Sequence, residues 1–151
     1  ADTAEQTQRL WGIRKALSPA LRSLSPHKIN EDIVVPVTQM PTLFEALRKI
    51  SQRYQIPIVN FGHGGNGNIH VNLLADPLDP INGPIAHQAL NEVFDLVVHL
   101  GGTLSGEHGV GVEKRDFIGK ELSLVHLDMM KKIKAQFDPH HILNPGKLFP
   151  N

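Results

Sequence analysis

Two apolar runs on either side of a glycine- and asparagine-rich turn constrain the fold more than any other feature of the sequence. Residues 56–61 and 69–74 have the composition of β-strands, and residues 62–68 between them are dominated by the turn formers Gly and Asn. The sequence therefore predicts a β-hairpin with a polar tip near the middle of the chain.

The patterning around this hairpin predicts an α+β fold. A strand at 33–37 and a helix that begins near Met40 precede the hairpin, and the clearest amphipathic helix, 85–100, follows it. A short fourth strand at 103–105 completes the order β-α-β-β-α-β. This order is typical of a ferredoxin-like antiparallel sheet with its helices on one face.

Two further helices are predicted at the ends of the chain. Residues 5–24 carry leucine and isoleucine at helical spacing, although Pro19 is expected to kink or split this helix. Residues 121–137 form the second helix, which Asp138 and Pro139 are expected to stop. The apolar side chains of this helix that are expected to face inward are Leu122, Val125, Met129, Ile133 and Phe137.

Composition restricts the class of protein. The chain has 151 residues, of which 40% are hydrophobic and 20% are charged, so we expect one globular domain that spans residues 1–151. The formal net charge of zero, without a basic stripe, argues against nucleic-acid binding. Without cysteine, this chain has no disulfides, no thiolate catalysis and no cysteine zinc site.

The ends and the apolar runs of the chain bear on its location. The apolar runs are far shorter than a membrane span, and the first residues lack the pattern of a signal peptide. The chain begins with Ala1 rather than methionine, so we expect it to be processed or excised from a longer protein. These features favour a cytoplasmic location, with peripheral attachment to a membrane as an alternative.

The hairpin tip carries the first candidate site. Gly62, Gly64 and Gly67 match the string of a dinucleotide-binding fingerprint, but that motif requires a helix after the glycines, and a strand is predicted here. His63 ends one strand and His70 begins the next, so two imidazoles on adjacent strands can converge on one metal ion. On the hairpin alone, a turn whose histidines only form hydrogen bonds explains the pattern equally well.

A second glycine-rich segment, residues 106–111, places Glu107 beside His108 on sharply turned backbone. Glu107 could complete a two-histidine, one-carboxylate metal site with open positions, and His108 could act as a base beside the metal. On its own, the segment also fits a solvated loop. In an idealised sheet of this topology the fourth strand ends away from the hairpin turn, so the chain must bend back if Glu107 is to join the histidines.

The remaining polar segments have simpler interpretations. Residues 144–147 form either a turn after a helix stop or a segment that docks on a cofactor or a neighbouring domain. Lys28 is by default a solvated lysine just before a strand. The histidines expected to serve only as surface or core residues are His27, His87, His99, His126, His140 and His141.

Three segments together resemble a known protein family. The strings HGGNGNIHVN, GGTLSGEHGVGVEKR and FDPHHILNPGKLFP stand in the same order and spacing as in the C-terminal domain of the FAD-linked oxidases. This family includes the D-subunit of glycolate oxidase, D-lactate dehydrogenase and D-2-hydroxyglutarate dehydrogenase. The resemblance runs from about Lys28 to Pro150. It implies a vanillyl-alcohol-oxidase-type flavoprotein in which this domain caps the flavin.

The resemblance also implies roles for individual residues. It implies that a divalent metal, zinc ahead of manganese or iron, is bound by His63, His70 and Glu107. It implies that His108 is the catalytic base. The substrate-binding residues that it implies are Arg14, Ser18, Lys28 and Asn72, the first two of them from their spacing to Lys28. It implies that Asn144 binds or adjoins the FAD cofactor.

The reaction implied by the resemblance is the oxidation of glycolate, D-lactate or D-2-hydroxyglutarate to the 2-oxo acid, with hydride transfer to FAD. The metal would chelate the carboxylate and α-hydroxyl oxygens of the substrate, His108 would take the hydroxyl proton, and Arg14 and Lys28 would hold the carboxylate.

The partners implied are the small 2-hydroxy acid, the FAD-binding domain of the same protein, and other oxidase subunits or an electron acceptor. FAD would be bound mainly by that other domain, so the isolated chain is expected to be inactive and to expose the surface that packs on it. Two alternatives are a free-standing metal- or ligand-binding domain without redox activity and a metal hydrolase that activates water.

Overall fold

The computed structural model describes residues 1–150 and belongs to the α+β class, as the sequence predicts. Its helices are α1 (Ala4–Leu24), α2 (Met40–Tyr54), α3 (Asn82–His99), α4 (Gly111–Lys114) and α5 (Leu124–Phe137). Its strands are β1 (Ile29–Val34), β2 (Ile58–His63) and β3 (Asn68–Leu73). Two 3-10 helices span Val37–Gln39 and Arg115–Lys120.

The three strands form one antiparallel sheet in the order β1-β3-β2. The crossover through α2 leaves a gap between β1 and β2, and β3 fills this gap and pairs with both, as in the split βαβ topology. The predicted fourth strand at 103–105 is reduced to a single antiparallel bridge between Thr103 and Val34. The ladder stops there because the backbone amides of residues 106–108 bind the side chain of Asp32.

Helices α2 and α3 cover one face of the sheet, as predicted. The period of two along β3 turns Ile69, Val71 and Leu73 towards these helices, and Asn68, His70 and Asn72 towards the opposite face. The buried helix side chains that pack on the strands include Leu43, Leu47, Leu90, Val93, Phe94 and Val97. The apolar core therefore lies on one side of the sheet, and the polar side chains of β3 lie on the other.

The terminal helices pack differently from the prediction. In α5 only Leu127 is buried, and the residues of the stripe predicted to face inward that are instead exposed are Val125, Met129, Ile133 and Phe137. The physical reason is that α2 and α3 already occupy the apolar face of the sheet. Helix α1 continues through Pro19 without a break, and only Leu21 of this helix is buried. None of the helices in residues 1–150 combines the length and apolarity needed to cross a bilayer.

Two parts of the structure differ from the elements predicted by the sequence. Strand β1 occupies Ile29–Val34 rather than 33–37, because Pro36 cannot donate to a ladder and the charged Glu31 and Asp32 hide the start of the strand in the sequence pattern. Residues 111–120, for which the sequence predicts no element, form α4 and a 3-10 helix. These short helices bring Lys114 against β1.

Glu31 is a buried carboxyl group, with 2% of its surface exposed. Burial raises the pKa of Glu31 from 4.5 to about 7, although the Nζ atom of Lys114, 3.5 Å from its Oε2, acts in the opposite direction. Because the pKa is higher in the folded than in the unfolded state, Glu31 lowers the stability of the fold progressively as the pH rises from 4.5 to about 7.

Replacing Glu31 with glutamine is therefore expected to remove this pH dependence. Each pKa unit corresponds to about 1.4 kcal/mol, so the wild type should lose about 3 kcal/mol of unfolding free energy relative to Glu31→Gln between pH 4.5 and pH 8. Urea denaturation of both proteins at the two pH values measures this difference. If the unfolding free energies of the two proteins change with pH in parallel, the pKa of Glu31 is not raised by folding.

Candidate metal and substrate site

The candidate site lies on the face of the sheet that α2 and α3 leave uncovered. Strand alternation places Asp32 of β1, His63 of β2 and His70 of β3 on this face. Asp32 stands directly opposite His70 in the β1–β3 pairing. The hairpin predicted from the sequence thus carries its histidines on the polar side of the sheet.

His63, His70 and Glu107 form a group that can hold a metal ion, because one ligand atom of each lies within 4.8 Å of the others. The His70 Nε2 atom is 3.2 Å from the Glu107 Oε1 atom. Zinc ligand atoms at about 2.1 Å from the ion lie about 3.4 Å apart in a tetrahedron, so a small closing movement would bring the three atoms into range. Two imidazoles and one carboxylate also leave coordination positions open for a substrate.

The protonation state of His70 suits such a ligand. Burial lowers the pKa of His70, and the nearby Glu107 carboxylate opposes this effect without reversing it. The neutral imidazole is the form that binds a metal ion. His70 is buried, whereas His63 and Glu107 are exposed, so the group is open to solvent on one side.

Glu107 reaches the histidines because the chain turns over Asp32. The backbone N–H groups of Gly106 and His108 donate to the Asp32 Oδ2 atom over 2.8 and 2.9 Å, and the N–H group of Glu107 donates to the same oxygen. Since Asp32 is the direct neighbour of His70, this turn sets Glu107 beside the His70 ring. The bend that Glu107 needs in order to join the histidines is therefore produced by a side chain of β1.

Asp32 in turn is held by Lys114. The Lys114 Nζ atom donates to the Asp32 Oδ1 atom and, over 2.9 Å, to the Asp32 backbone carbonyl, and both side chains are buried. Burial by itself would raise the pKa of Asp32, but hydrogen bonds from Lys114 and from the Glu107 and His108 amides outweigh it and lower the pKa to about 2. Neither Asp32 nor Lys114 was predicted from the sequence as a site residue. A charge inside an apolar strand is the one signal for Asp32, and Lys114 has none.

His108 lies between the buried Asp32 carboxylate and the group of His63, His70 and Glu107, hereafter the metal-ligand group. Its Nδ1 atom is 3.4 Å from the Asp32 Oδ1 atom, and its Nε2 atom is 3.9 Å from the Glu107 Oε1 atom. The ring centroids of His108 and His70 are 5.3 Å apart. Nearly half of the His108 side chain is exposed, so a small molecule at the site can reach it.

Two of the residues expected to bind substrate contact each other. The Lys28 Nζ atom donates to the Asn72 Oδ1 atom over 2.8 Å. The Asn72 amide nitrogen donates to the carbonyls of Val59 and His70, which fixes the orientation of the amide. Burial, followed by the charge of Arg22, lowers the pKa of Lys28. Asn72 is completely buried, so it would act on a substrate by fixing the position of the Lys28 ammonium group.

The structure does not bring the other two residues expected to bind substrate to the site. Arg14 and Ser18 lie half-buried on α1, and no hydrogen bond or ion pair joins them to the site within residues 1–150. Arg14 instead borders a shallow hollow that Leu10 and Trp11 also line. The reason is that α1 is anchored on the rest of the chain by few side chains, of which only Leu21 is buried.

Asn144 lies in the exposed tail, in a left-handed backbone conformation with φ of 49°. It borders a mostly apolar pocket of about 430 Å³ that also involves Gly111 and Phe137, so the tail adjoins the loop that follows His108. The side chain of Arg115 donates to the Gly146 carbonyl and ties the tail to this region. The histidines expected to have no role in a site are all exposed, and these are His27, His87, His99, His126, His140 and His141.

Gly106 allows the close approach of the turn to the sheet. A Cβ atom at this position would lie 2.6 Å from the Asn68 Nδ2 atom and 2.9 Å from the Val34 Cγ2 atom. We expect Gly106→Ala to lower the unfolding free energy by about 1–3 kcal/mol through this overlap, as measured by urea denaturation. The control is Gly64→Ala, whose added Cβ meets no atom within 4 Å. Equal stability of the two variants would contradict the tight packing of the turn.

Comparisons with known proteins agree with the three sequence motifs. The sequence model of the family described as FAD linked oxidases, C-terminal domain, matches residues 1–148. The chain is 39% identical over 149 residues to glycolate oxidase subunit GlcD of Bacillus subtilis (strain 168), an alignment that covers 99% of this chain and 32% of that protein.

Two further relatives carry the names of different enzymes. The chain is 37% identical to D-2-hydroxyglutarate dehydrogenase of Stutzerimonas stutzeri (strain A1501), with 99% of this chain and 32% of that protein covered. It is 30% identical to D-lactate dehydrogenase of Anaerostipes hadrus, with 98% and 31% covered. The chain thus spans about a third of the length of the curated relatives it matches.

Proposed function

Because the chain belongs to the family of FAD linked oxidases, C-terminal domain, we propose that it is the metal- and substrate-binding part of a longer FAD-dependent oxidoreductase. Its substrate would be a small 2-hydroxy acid of the kind that the names of its relatives indicate. The observation that carries the proposal is the convergence of His63, His70 and Glu107 beside His108. The family predicted from the sequence motifs is confirmed.

In the proposed site, His63, His70 and Glu107 would bind a divalent ion, zinc ahead of manganese or iron. When bound, such an ion acidifies and orients a coordinated hydroxyl group. His108 would accept the hydroxyl proton on its Nε2 atom, which faces the metal-ligand group. The Asp32 carboxylate beside Nδ1 favours the tautomer that carries its proton on Nδ1 and leaves Nε2 free to accept.

Lys28 would bind the substrate carboxylate through a charge-assisted hydrogen bond, with Asn72 fixing the position of the ammonium group. Arg14 and Ser18 are proposed for the same task. They would reach the substrate only if α1 packs closer to the site than it does in this structure.

The flavin would be held mainly by another domain, and it supplies the acceptor for the hydride that leaves the α-carbon. The chain does not itself offer a dinucleotide cradle at its glycine turn, because residues 62–68 lead into β3 rather than into a helix. Asn144 would lie near the flavin. The exposed apolar side chains of α1 and α5 would pack on the flavin domain, and other oxidase subunits or an electron acceptor are further proposed partners.

Flavin reduction tests this proposal in the full-length enzyme. We expect glycolate, D-lactate or D-2-hydroxyglutarate to bleach the flavin absorbance under anaerobic conditions, and Glu107→Ala to abolish the bleaching. The control is His99→Ala, which removes an exposed imidazole on α3 and should reduce its flavin normally. A flavin that stays oxidised with all three acids would contradict the proposed substrate class.

A further inference from the structure

Asp32 is a buried carboxylate that is neither one of the proposed metal ligands nor one of the proposed substrate-binding residues. Its side chain is completely inaccessible to solvent, yet it lies on the polar face of the sheet, next to His70. Burying a carboxylate is costly unless hydrogen bonds and an opposite charge compensate for it. Asp32 receives both kinds of compensation, from the three amides of one turn and from the ammonium group of Lys114.

The two oxygen atoms of this carboxylate have separate tasks. Oδ2 accepts the three consecutive N–H groups of residues 106–108, so the path of the backbone that carries Glu107 depends on this atom. Oδ1 binds the Lys114 Nζ atom and lies 3.4 Å from the His108 Nδ1 atom. One side chain therefore contacts both the segment that presents the carboxylate ligand and the imidazole beside it.

We propose that Asp32, fixed by Lys114, is a positioning residue, which holds Glu107 against His70 and orients the His108 ring with its Nε2 atom towards the metal-ligand group. The expected consequence is that displacement of Asp32 lowers the affinity of the metal-ligand group for its ion. This consequence rests on the proposed function. Groups that orient metal ligands without touching the ion typically change metal affinity by about 10- to 100-fold when they are removed.

Glu31 provides a matched control for Asp32. It is the preceding residue of β1 and is equally buried beside Lys114, but strand alternation turns it to the other face of the sheet. Glu31→Gln therefore removes a neighbouring buried carboxylate without touching the turn. A second control, Leu47→Ala, destabilises the apolar core below α2 and leaves the polar face intact.

The test compares the full-length wild type with Asp32→Asn and both controls. Amide hydrogen exchange of residues 106–108 is expected to be at least about 10-fold faster in Asp32→Asn than in the wild type, because the hydrogen bonds from these amides to residue 32 are weakened. Affinity for Zn²⁺ alone, from competition with a colorimetric chelator, should fall by about 10- to 100-fold in Asp32→Asn. Both controls should keep the wild-type affinity within about twofold, and their exchange at residues 106–108 should stay close to that of the wild type.

If Asp32→Asn does not fold, Asp32→Glu replaces it, since the longer side chain keeps the charge beside Lys114 and displaces the carboxylate from the turn. The same exchange and affinity changes are expected. Unchanged exchange at residues 106–108, or a zinc affinity that falls as far in Leu47→Ala, would overturn the proposal. If the wild type takes up no zinc, the proposed function fails, but the exchange comparison needs no metal and still decides whether Asp32 positions the turn.

Discussion

Replacing Lys114 with methionine is expected to lower the free energy of unfolding by about 3–5 kcal/mol, because the change leaves a buried carboxylate without its counter-charge. Lys114 is 2% exposed and binds both the side chain and the backbone carbonyl of Asp32. Methionine preserves most of the aliphatic stem, so the loss of packing is small and the loss of charge dominates. Urea denaturation at neutral pH measures the effect.

The control for this prediction is Lys49→Met. Lys49 pairs with Glu45 one turn away on α2, and both side chains are more than half exposed. An exposed pair of this kind contributes little, so the variant should lose no more than about 0.5 kcal/mol. A loss below about 1 kcal/mol in Lys114→Met would show that the Asp32–Lys114 pair does not stabilise the fold.

Replacing His108 with asparagine in the full-length enzyme is expected to lower kcat by about 100- to 10,000-fold, the range typical of a lost general base. Metal content should stay the same, because the proposed ligands are His63, His70 and Glu107 and do not include His108. KM should change little, since Lys28 is the residue proposed to bind the substrate carboxylate. Steady-state dye reduction and elemental analysis of the same preparation measure both quantities.

His99→Asn is the matched control, because His99 is an exposed imidazole at the end of α3. Its kcat should equal that of the wild type. An unchanged turnover number in His108→Asn would contradict the assignment of His108 as the base. A parallel loss of metal would instead show that His108 acts as a ligand.

The local part of the fold follows from periodicity and turn chemistry. The hairpin at β2 and β3 and the helices α2 and α3 are all short-range patterns, and the structure confirms each of them within a few residues. The packing of α5 was harder to predict, because periodicity shows that a helix has an apolar stripe but not which surface covers it. In residues 1–150 the stripe of α5 remains exposed, since the apolar face of the sheet is occupied by α2 and α3.

The candidate site was predictable in a different way. Two histidines across a glycine turn, with Glu107 in a second glycine-rich segment, suggest a metal site from the residues alone. The sequence does not show that Glu107 reaches the histidines, because its approach depends on a long-range contact. That contact is the binding of residues 106–108 by Asp32, across more than seventy residues of sequence. Neither periodicity nor spacing predicts such a contact. The interactions of Asp32 and Lys114 with the site are therefore known only from the structure.

Metal content tests the central claim most directly. Elemental analysis of the purified full-length enzyme is expected to find about one divalent ion per chain in the wild type, and none in His63→Ala or Glu107→Ala, since each variant removes one of the three proposed protein ligands. His140→Ala, which removes an exposed histidine of the tail, should keep its ion. A wild type that stays metal-free after incubation with zinc or manganese, or variants that retain the ion, would contradict the account.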